Sequence, residues 1–122
     1  MLIALFTIYF LGGGSGAMLD YIADIKDSVE IIMAEGERQD EALTVLKAMK
    51  KKATEHYKKV KQTTKGLEKT FRNHESTAEQ IDALWAEHYA TLDRYNDDML
   101  DLRFELKEHI NREEWEAIFS AN

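Results

Sequence analysis

The side chains able to do chemistry are few and widely spaced. The four histidines, His56, His74, His88 and His109, form no H-x-x-x-H or H-E-x-x-H pair, the spacings that put two imidazoles on one helix face around a zinc ion. Glu105 and His109 lie one helical turn apart and come nearest to a ligand pair. An ordinary hydrogen bond along the helix face competes with that reading. Asp93, Asp97, Asp98 and Asp101 recur at helical spacing. They would attract a divalent cation weakly, or serve as a solvated face turned toward a basic helix. Whether any metal binds is left unknown by these spacings. Cysteine is absent, which excludes thiolate ligands, Cys nucleophiles and disulfides. No G-x-S-x-G, P-loop or dinucleotide fingerprint occurs, because the glycines at 12, 13, 14 and 16 sit in an apolar segment with no lysine beside them. The expectation is a protein that is not an enzyme, with no cofactor and no small-molecule substrate.

The elements that would carry these residues are helices. A chain of 122 residues, 44% hydrophobic and 32% charged, fits one domain. It contains no proline, so little interrupts a helix. Ile22, Ile25, Val29 and Ile32 repeat at three and four residues. Leu43, Leu46, Ala53, Tyr57, Val60, Thr64, Leu67 and Phe71 resume that alternation, with Lys50 filling one seam position. Between the two runs, Gly36 and Gln39 fall on the seam, which predicts a kink or short loop. A second stripe runs through Ile81, Leu84, Trp85, His88, Leu92, Tyr95, Met99, Leu102, Leu106 and Ile110. It is expected to pack against the first, and His88 within it reads as a core or interface residue.

Capping chemistry marks the joints. Ser76 and Glu79 satisfy S-x-x-E and predict a turn near residues 73–76, with a helix starting at Thr77. Asn111, followed by Glu113 and Glu114, predicts a last short helix carrying Trp115, Ile118 and Phe119. Trp115 and Phe119, if exposed at its tip, are the candidate anchors for a protein partner. The predicted architecture is all-α: an N-terminal hydrophobic helix, a long antiparallel helical hairpin and a short C-terminal helix. Its divisions are 1–22 as anchor or signal, 23–36 as an amphipathic helix and 37–122 as the charged hairpin. A continuous helix over residues 37–72 would be about 54 Å long, too long for two helices to bury both stripes. Self-association, or folding of residues 20–34 back onto the hairpin, is the physical remedy.

Charge alternates in blocks. Residues 20–46 carry eight acids against Lys26 and Arg38, residues 47–72 ten bases against Glu55 and Glu68, and residues 73–122 thirteen acids against four bases. Basic and acidic helices laid side by side favour their own pairing, at about 0–1 kcal/mol per exposed ion pair. Lys50, Lys51 and Lys52 read as a solvated face. The net charge of −7 argues against nucleic acid as a partner.

Residues 1–19 contain no charge, and residues 2–11 are apolar except for Thr7. Residues 1–22 would just cross a bilayer core of about 30 Å, with Gly12 and Gly16 as a small-xxx-small face for membrane helix packing. The expectation is therefore a membrane anchor, in the inner membrane, with the acidic-flanked C-terminal part extracytoplasmic. Two readings compete with it. One is a cleaved export signal ending in Ser15, Gly16 and Ala17, weakened by the missing basic residue before the apolar run; the other is an ordinary buried helix or Gly-Ser linker.

Thr77, Ala78, Glu79 and Gln80 at one helix start, and the run from Ile110 through Glu114 at another, resemble the L-T-x-x-Q signature of the periplasmic CpxP/Spy and heavy-metal-sensor proteins. Ser76 stands where that signature has Leu, Asn111 where it has Thr, and Glu114 where it has Gln. The resemblance covers about a third of the chain. It implies a helical hairpin that dimerises and senses envelope stress, chaperones other proteins or binds metal. The functional expectation is a membrane-tethered helical bundle acting by protein binding, as a structural partner or sensor, with a protein partner or homo-oligomer. A secreted chaperone-like protein and an accessory subunit of a membrane complex are the alternatives.

Overall fold

The computed structural model describes residues 14–120, and all of its regular structure is helical. Four helices follow one another: α1 (Gly14–Ile32), α2 (Glu37–Arg72), α3 (Ala78–His109) and α4 (Arg112–Ser120). The all-α expectation therefore holds at the level of class.

One helix, α1, runs through the predicted boundary at residue 22, and its period explains why. Met18, Ile22, Ile25 and Val29 are buried on one face, while Asp20, Asp24, Lys26, Asp27 and Glu30 are exposed. Each of those apolar side chains gains about 1.5–3 kcal/mol from leaving water, provided the helix lies on the bundle. This corrects the membrane anchor. A span over residues 1–22 needed residues 14–22 in lipid, and that stretch belongs to a charged amphipathic helix whose apolar face is already covered. No helix among the described residues is long and apolar enough to cross a membrane. The inner-membrane placement, and the extracytoplasmic orientation derived from it, fall with the span. Residues 1–13 lie outside the described residues.

Helix α1 ends in a turn that the sequence marks only by a break in period. Gly36 takes φ 155° and ψ −171°, a region that only glycine enters without strain. The Gln39 side chain is buried, and its Nε2 donates to the carbonyls of Val29, Glu30 and Met33 at 3.4, 3.4 and 3.0 Å. The first turn of α2 thus supplies a side-chain donor to carbonyls at the end of α1. A Cβ on Gly36 would meet nothing within 4 Å, so the cost of Gly36→Ala is backbone strain alone. That variant should lose about 1 kcal/mol, read as a lower urea midpoint with an unchanged m-value.

Helices α2 and α3 run in opposite directions along each other. Lys52 meets Asp98 at 3.2 Å, and His56 stacks on Tyr95 with ring centroids 3.9 Å apart. Between them Asn73 Oδ1 accepts from the Glu75 backbone N–H at 3.0 Å. The capping box sits one residue later than the Ser76–Glu79 reading: Thr77 Oγ1 accepts from Gln80 N at 3.2 Å, and Gln80 Oε1 accepts from Thr77 N at 2.9 Å. At the next joint Asn111 Oδ1 accepts from Glu114 N at 2.8 Å and Glu114 Oε1 accepts from Asn111 N at 3.0 Å, which starts α4 where the sequence places it.

The core lies at one end. Ile25, Val29, Met33, Ala42, Val45, Leu46, Leu106, Ile110 and Ile118 form one buried cluster, and Met18, Ile22, Ala53, Leu92, Tyr95 and Met99 form a second beside it. Helix α1 fills the slot between α2 and α3, and α4 closes its end. Toward the α2–α3 turn the packing stops: no residue from Tyr57 to Ala90 is buried.

Candidate functional site

The distal arm, formed by residues 57–72 of α2 and 78–90 of α3, is where this fold leaves apolar surface uncovered. Val60, Thr64, Leu67 and Phe71 from α2 face Ile81, Trp85 and His88 from α3 across a groove of about 500 Å³, with Glu68 at its edge. Phe71 is 80% exposed and Trp85 45%. Trp85 makes edge and stacked contacts with His88 and Tyr89, at centroid distances of 6.0 Å in both cases.

The positions explain the groove. On α2 the stripe through Leu46, Ala53, Val60, Thr64, Leu67 and Phe71 keeps one face by steps of three, four and their sums. On α3 the stripe through Ile81, Trp85, His88, Leu92, Tyr95, Met99 and Leu106 does the same. The members nearer the core are covered by α1; those nearer the turn are not. The groove is the unfilled continuation of the slot that α1 occupies.

Its flanks carry opposite charge. In the arm, α2 exposes Lys58, Lys59, Lys61, Lys65, Lys69 and Arg72 against Glu68, and α3 exposes Glu79, Asp82 and Glu87. An occupant with an apolar stripe, acidic on one side and basic on the other, meets this surface without stranding a charge.

At the base of the groove His56 is 5% exposed. Burial first, then the positive charges of His88 and Lys59, hold its imidazole down to about 4. Its stacking partner Tyr95 is pushed up to about 12 by burial. The ring is therefore a neutral, flat wall between the core and the open arm. The sequence stripe had named Tyr57 instead; Tyr57 is 44% exposed, because steps of three then four from Ala53 lead through His56 to Val60, while the reverse order leads through Tyr57.

The other sequence candidates lie elsewhere. Trp115 and Phe119 lie against each other at a tilt of 33°, with ring centroids 4.3 Å apart, and pack, half-buried, against the proximal core. The Arg103 guanidinium sits 5.2 Å from the Trp115 ring centre. These two rings hold α4 to the bundle. Gly16 is exposed, with nothing within 4 Å of where a Cβ would stand, and Gly12 lies outside the described residues. His109 Nδ1 lies 2.8 Å from Glu41 Oε2, so the partner of His109 is on α2 rather than at Glu105. Asp98 is taken by Lys52, and Asp93, Asp97 and Asp101 are exposed. Among the described residues no group of three or more His, Asp or Glu side chains is placed to hold a metal ion. Beside α4, Arg38 grips both Glu114 oxygens at 2.7 and 3.1 Å, and this hydrogen bond holds the Glu114 carboxyl below its usual range. It is a structural clasp between the start of α2 and α4.

No family model, no curated protein and no solved structure matches this chain. Its functional reading rests on the groove itself.

Proposed function

We propose that this chain is a non-enzymatic binding protein that takes an amphipathic helical segment of a protein partner into the groove of its distal arm. One observation carries the proposal: the slot that α1 fills over the proximal half of α2 and α3 continues along the arm with an apolar floor and no buried residue. A slot already occupied by a helix along half its length has the width for a helix along the other half, and helix-in-groove docking is a recurrent mode of recognition. The floor supplies the aromatic and aliphatic anchors in Phe71, Trp85 and Leu67. The flanking lysines and carboxylates set the direction of the guest. The resemblance to helical chaperone and sensor proteins fits such a role, in which other proteins are the ligands.

The test is a titration of a fluorescent amphipathic peptide, with leucines at i, i+3, i+4 and i+7, glutamates on one flank and lysines on the other, followed by anisotropy. Saturable binding is expected in the micromolar range, with at least a tenfold loss on Leu67→Glu, roughly 1.4 kcal/mol or more. Circular dichroism should show Leu67→Glu to be as helical as the parent, since Leu67 is outside the core. Binding that ignores Leu67→Glu would place the peptide elsewhere and refute the proposal, as would no binding to the parent.

A further inference from the structure

We infer that copies of this chain assemble side by side, the basic outer edge of α2 in one copy lying along the acidic outer edge of α3 in the next. The two edges are the sides of the hairpin, and their pairing leaves the groove face free.

Each of these two helices has three sides. On α2, Lys52 and His56 turn toward α3, while Leu43 and Leu46 turn toward α1 beside Ile22. The remaining side carries Lys47, Lys51, Lys58, Lys65, Lys69 and Arg72, spaced by four, seven, seven, four and three residues and all exposed. On α3, Tyr95 and Asp98 turn toward α2, while Leu92 and Met99 share a cluster with Met18 and Ile22 of α1. Its remaining side carries Glu79, Asp93 and Asp97, together with Leu100 and Phe104, which are 40% and 52% exposed.

Nothing within the described chain answers either edge. The side chains of Lys47, Lys58, Lys65, Glu79, Asp93 and Asp97 enter no ion pair or hydrogen bond with another described residue. Like charges one turn apart, as at Lys47 and Lys51, Lys65 and Lys69, or Asp93 and Asp97, weaken the helix that carries them. An edge of opposite sign laid alongside relieves both helices.

The edges match in length and register. Residues 47–72 and 79–104 each rise about 38 Å. Within the chain Lys52 lies by Asp98 and His56 by Tyr95, so a step forward on α2 is a step back on α3. A copy displaced sideways keeps that register and sets Lys58 beside Asp93 and Arg72 beside Glu79. Lys47 falls beside Phe104, where its methylene stem covers a ring otherwise open to water. Because one copy offers one edge of each sign, the contact is heterologous and repeats from copy to copy instead of closing at two. Phe71 and Trp85 stay exposed, and the grooves stand in a row, which favours a partner carrying several amphipathic segments.

Exposed ion pairs are individually weak, so this assembly rests on several acting together and is sensitive to salt. The net charge of −7 repels whole copies, over about 14 Å at about 50 mM salt and about 4 Å at about 500 mM. Moderate salt therefore damps that repulsion before it dissolves the contact pairs.

The test is sedimentation velocity on the full-length chain at those two salt concentrations and rising protein concentration. At the lower salt the parent's sedimentation coefficient should climb with concentration past that of a dimer; at the higher salt it should fall to the monomer value. Lys58→Glu with Lys65→Glu reverses one edge, and Asp93→Lys with Asp97→Lys reverses the other. Each double variant should associate at least about tenfold more weakly. Mixed in equal amounts, the two should recover assembly, since the acidic edge left in the first meets the basic edge left in the second. All four residues are exposed, and circular dichroism should show both variants as helical as the parent. A parent that stays monomeric at both salt concentrations overturns the inference. So does association that stops at a dimer, survives either reversal, strengthens with salt or is not recovered by mixing. The peptide titration needs no assembly and the sedimentation needs no peptide, so either conclusion can fail while the other stands.

Discussion

Replacing Leu46 by alanine is expected to remove about 3 kcal/mol of stability, while Phe71→Ala, the deletion of a larger side chain from the same helix, changes it by no more than about 0.5 kcal/mol. Leu46 is 1% exposed, in the cluster with Ile25, Val29, Leu106 and Ile118; Phe71 is 80% exposed in the arm. Truncating Leu46 leaves a cavity walled by three helices and forfeits both its transfer energy and its contacts. Truncating Phe71 removes a ring that water already touches. Urea unfolding, with the midpoint shifted and the slope unchanged, measures both. A small Leu46→Ala effect would mean that the proximal core is looser than this packing. A Phe71→Ala loss of 2 kcal/mol or more, on the scale of a core truncation, would mean that the arm is covered in solution. The difference between the two variants is thus a measure of how the chain divides stability from recognition: one end of the α2–α3 pair is spent on folding and the other is left for a guest.

The stripes of three-and-four spacing were legible in the sequence, and they found most of the core. Ile22, Ile25, Val29, Leu46, Ala53, Leu92, Tyr95, Met99, Leu106 and Ile110 are all buried as expected. The same stripes also named Val60, Thr64, Leu67, Phe71, Ile81, Leu84 and Trp85, none of which is buried. Periodicity reports that a face is apolar and says nothing of what covers it. Which half α1 covers depends on how far the loop at Gly36 lets it fold back, and that is a tertiary fact. The groove was therefore present in the sequence as a stripe, but hidden as a site. Trp115 and Phe119 show a related point: aromatic residues near the end of a helix suit either an exposed tip or a packed lid, and here both rings pack against the proximal core, beside the Asn111–Glu114 cap and the Arg38 clasp. Gln39 was visible only as a polar fault in the seam, because a side chain that caps another helix leaves no periodic mark. The uncharged N-terminal run gave the strongest local signal and the wrong destination. A twenty-residue window takes in residues 14–22, which belong to a helix whose charges begin only at Asp20 and whose apolar face is packed on the bundle.

Acidification should weaken the folded state between about pH 6.5 and pH 4 through His56. In the unfolded chain an imidazole titrates near 6.5; in the folded one the His56 ring, buried against Tyr95 and near the charges of Lys59 and His88, is held down to about 4. Above pH 6.5 both states carry it neutral and it contributes no slope. Between the two values the unfolded chain takes up a proton that the folded chain refuses, so stability falls as pH falls. Below about 4 both states are protonated and the loss levels off. The full shift sets a ceiling of about 3 kcal/mol. The ring lies where the covered part of the bundle gives way to the solvated arm, so screening brings the expected loss to about 2 kcal/mol. Carboxylates begin to titrate in the lower part of the same window, so the measurement is a comparison: the urea midpoint of the parent and of His56→Phe, which keeps a flat ring on Tyr95, at pH 7.5, 5.5 and 4.5. The variant should lose the slope between 7.5 and 5.5 and retain the part that carboxylates supply. Equal slopes in the two proteins would mean that His56 takes its proton while folded, which requires water to reach the floor of the slot at the place where α1 ends and the groove begins.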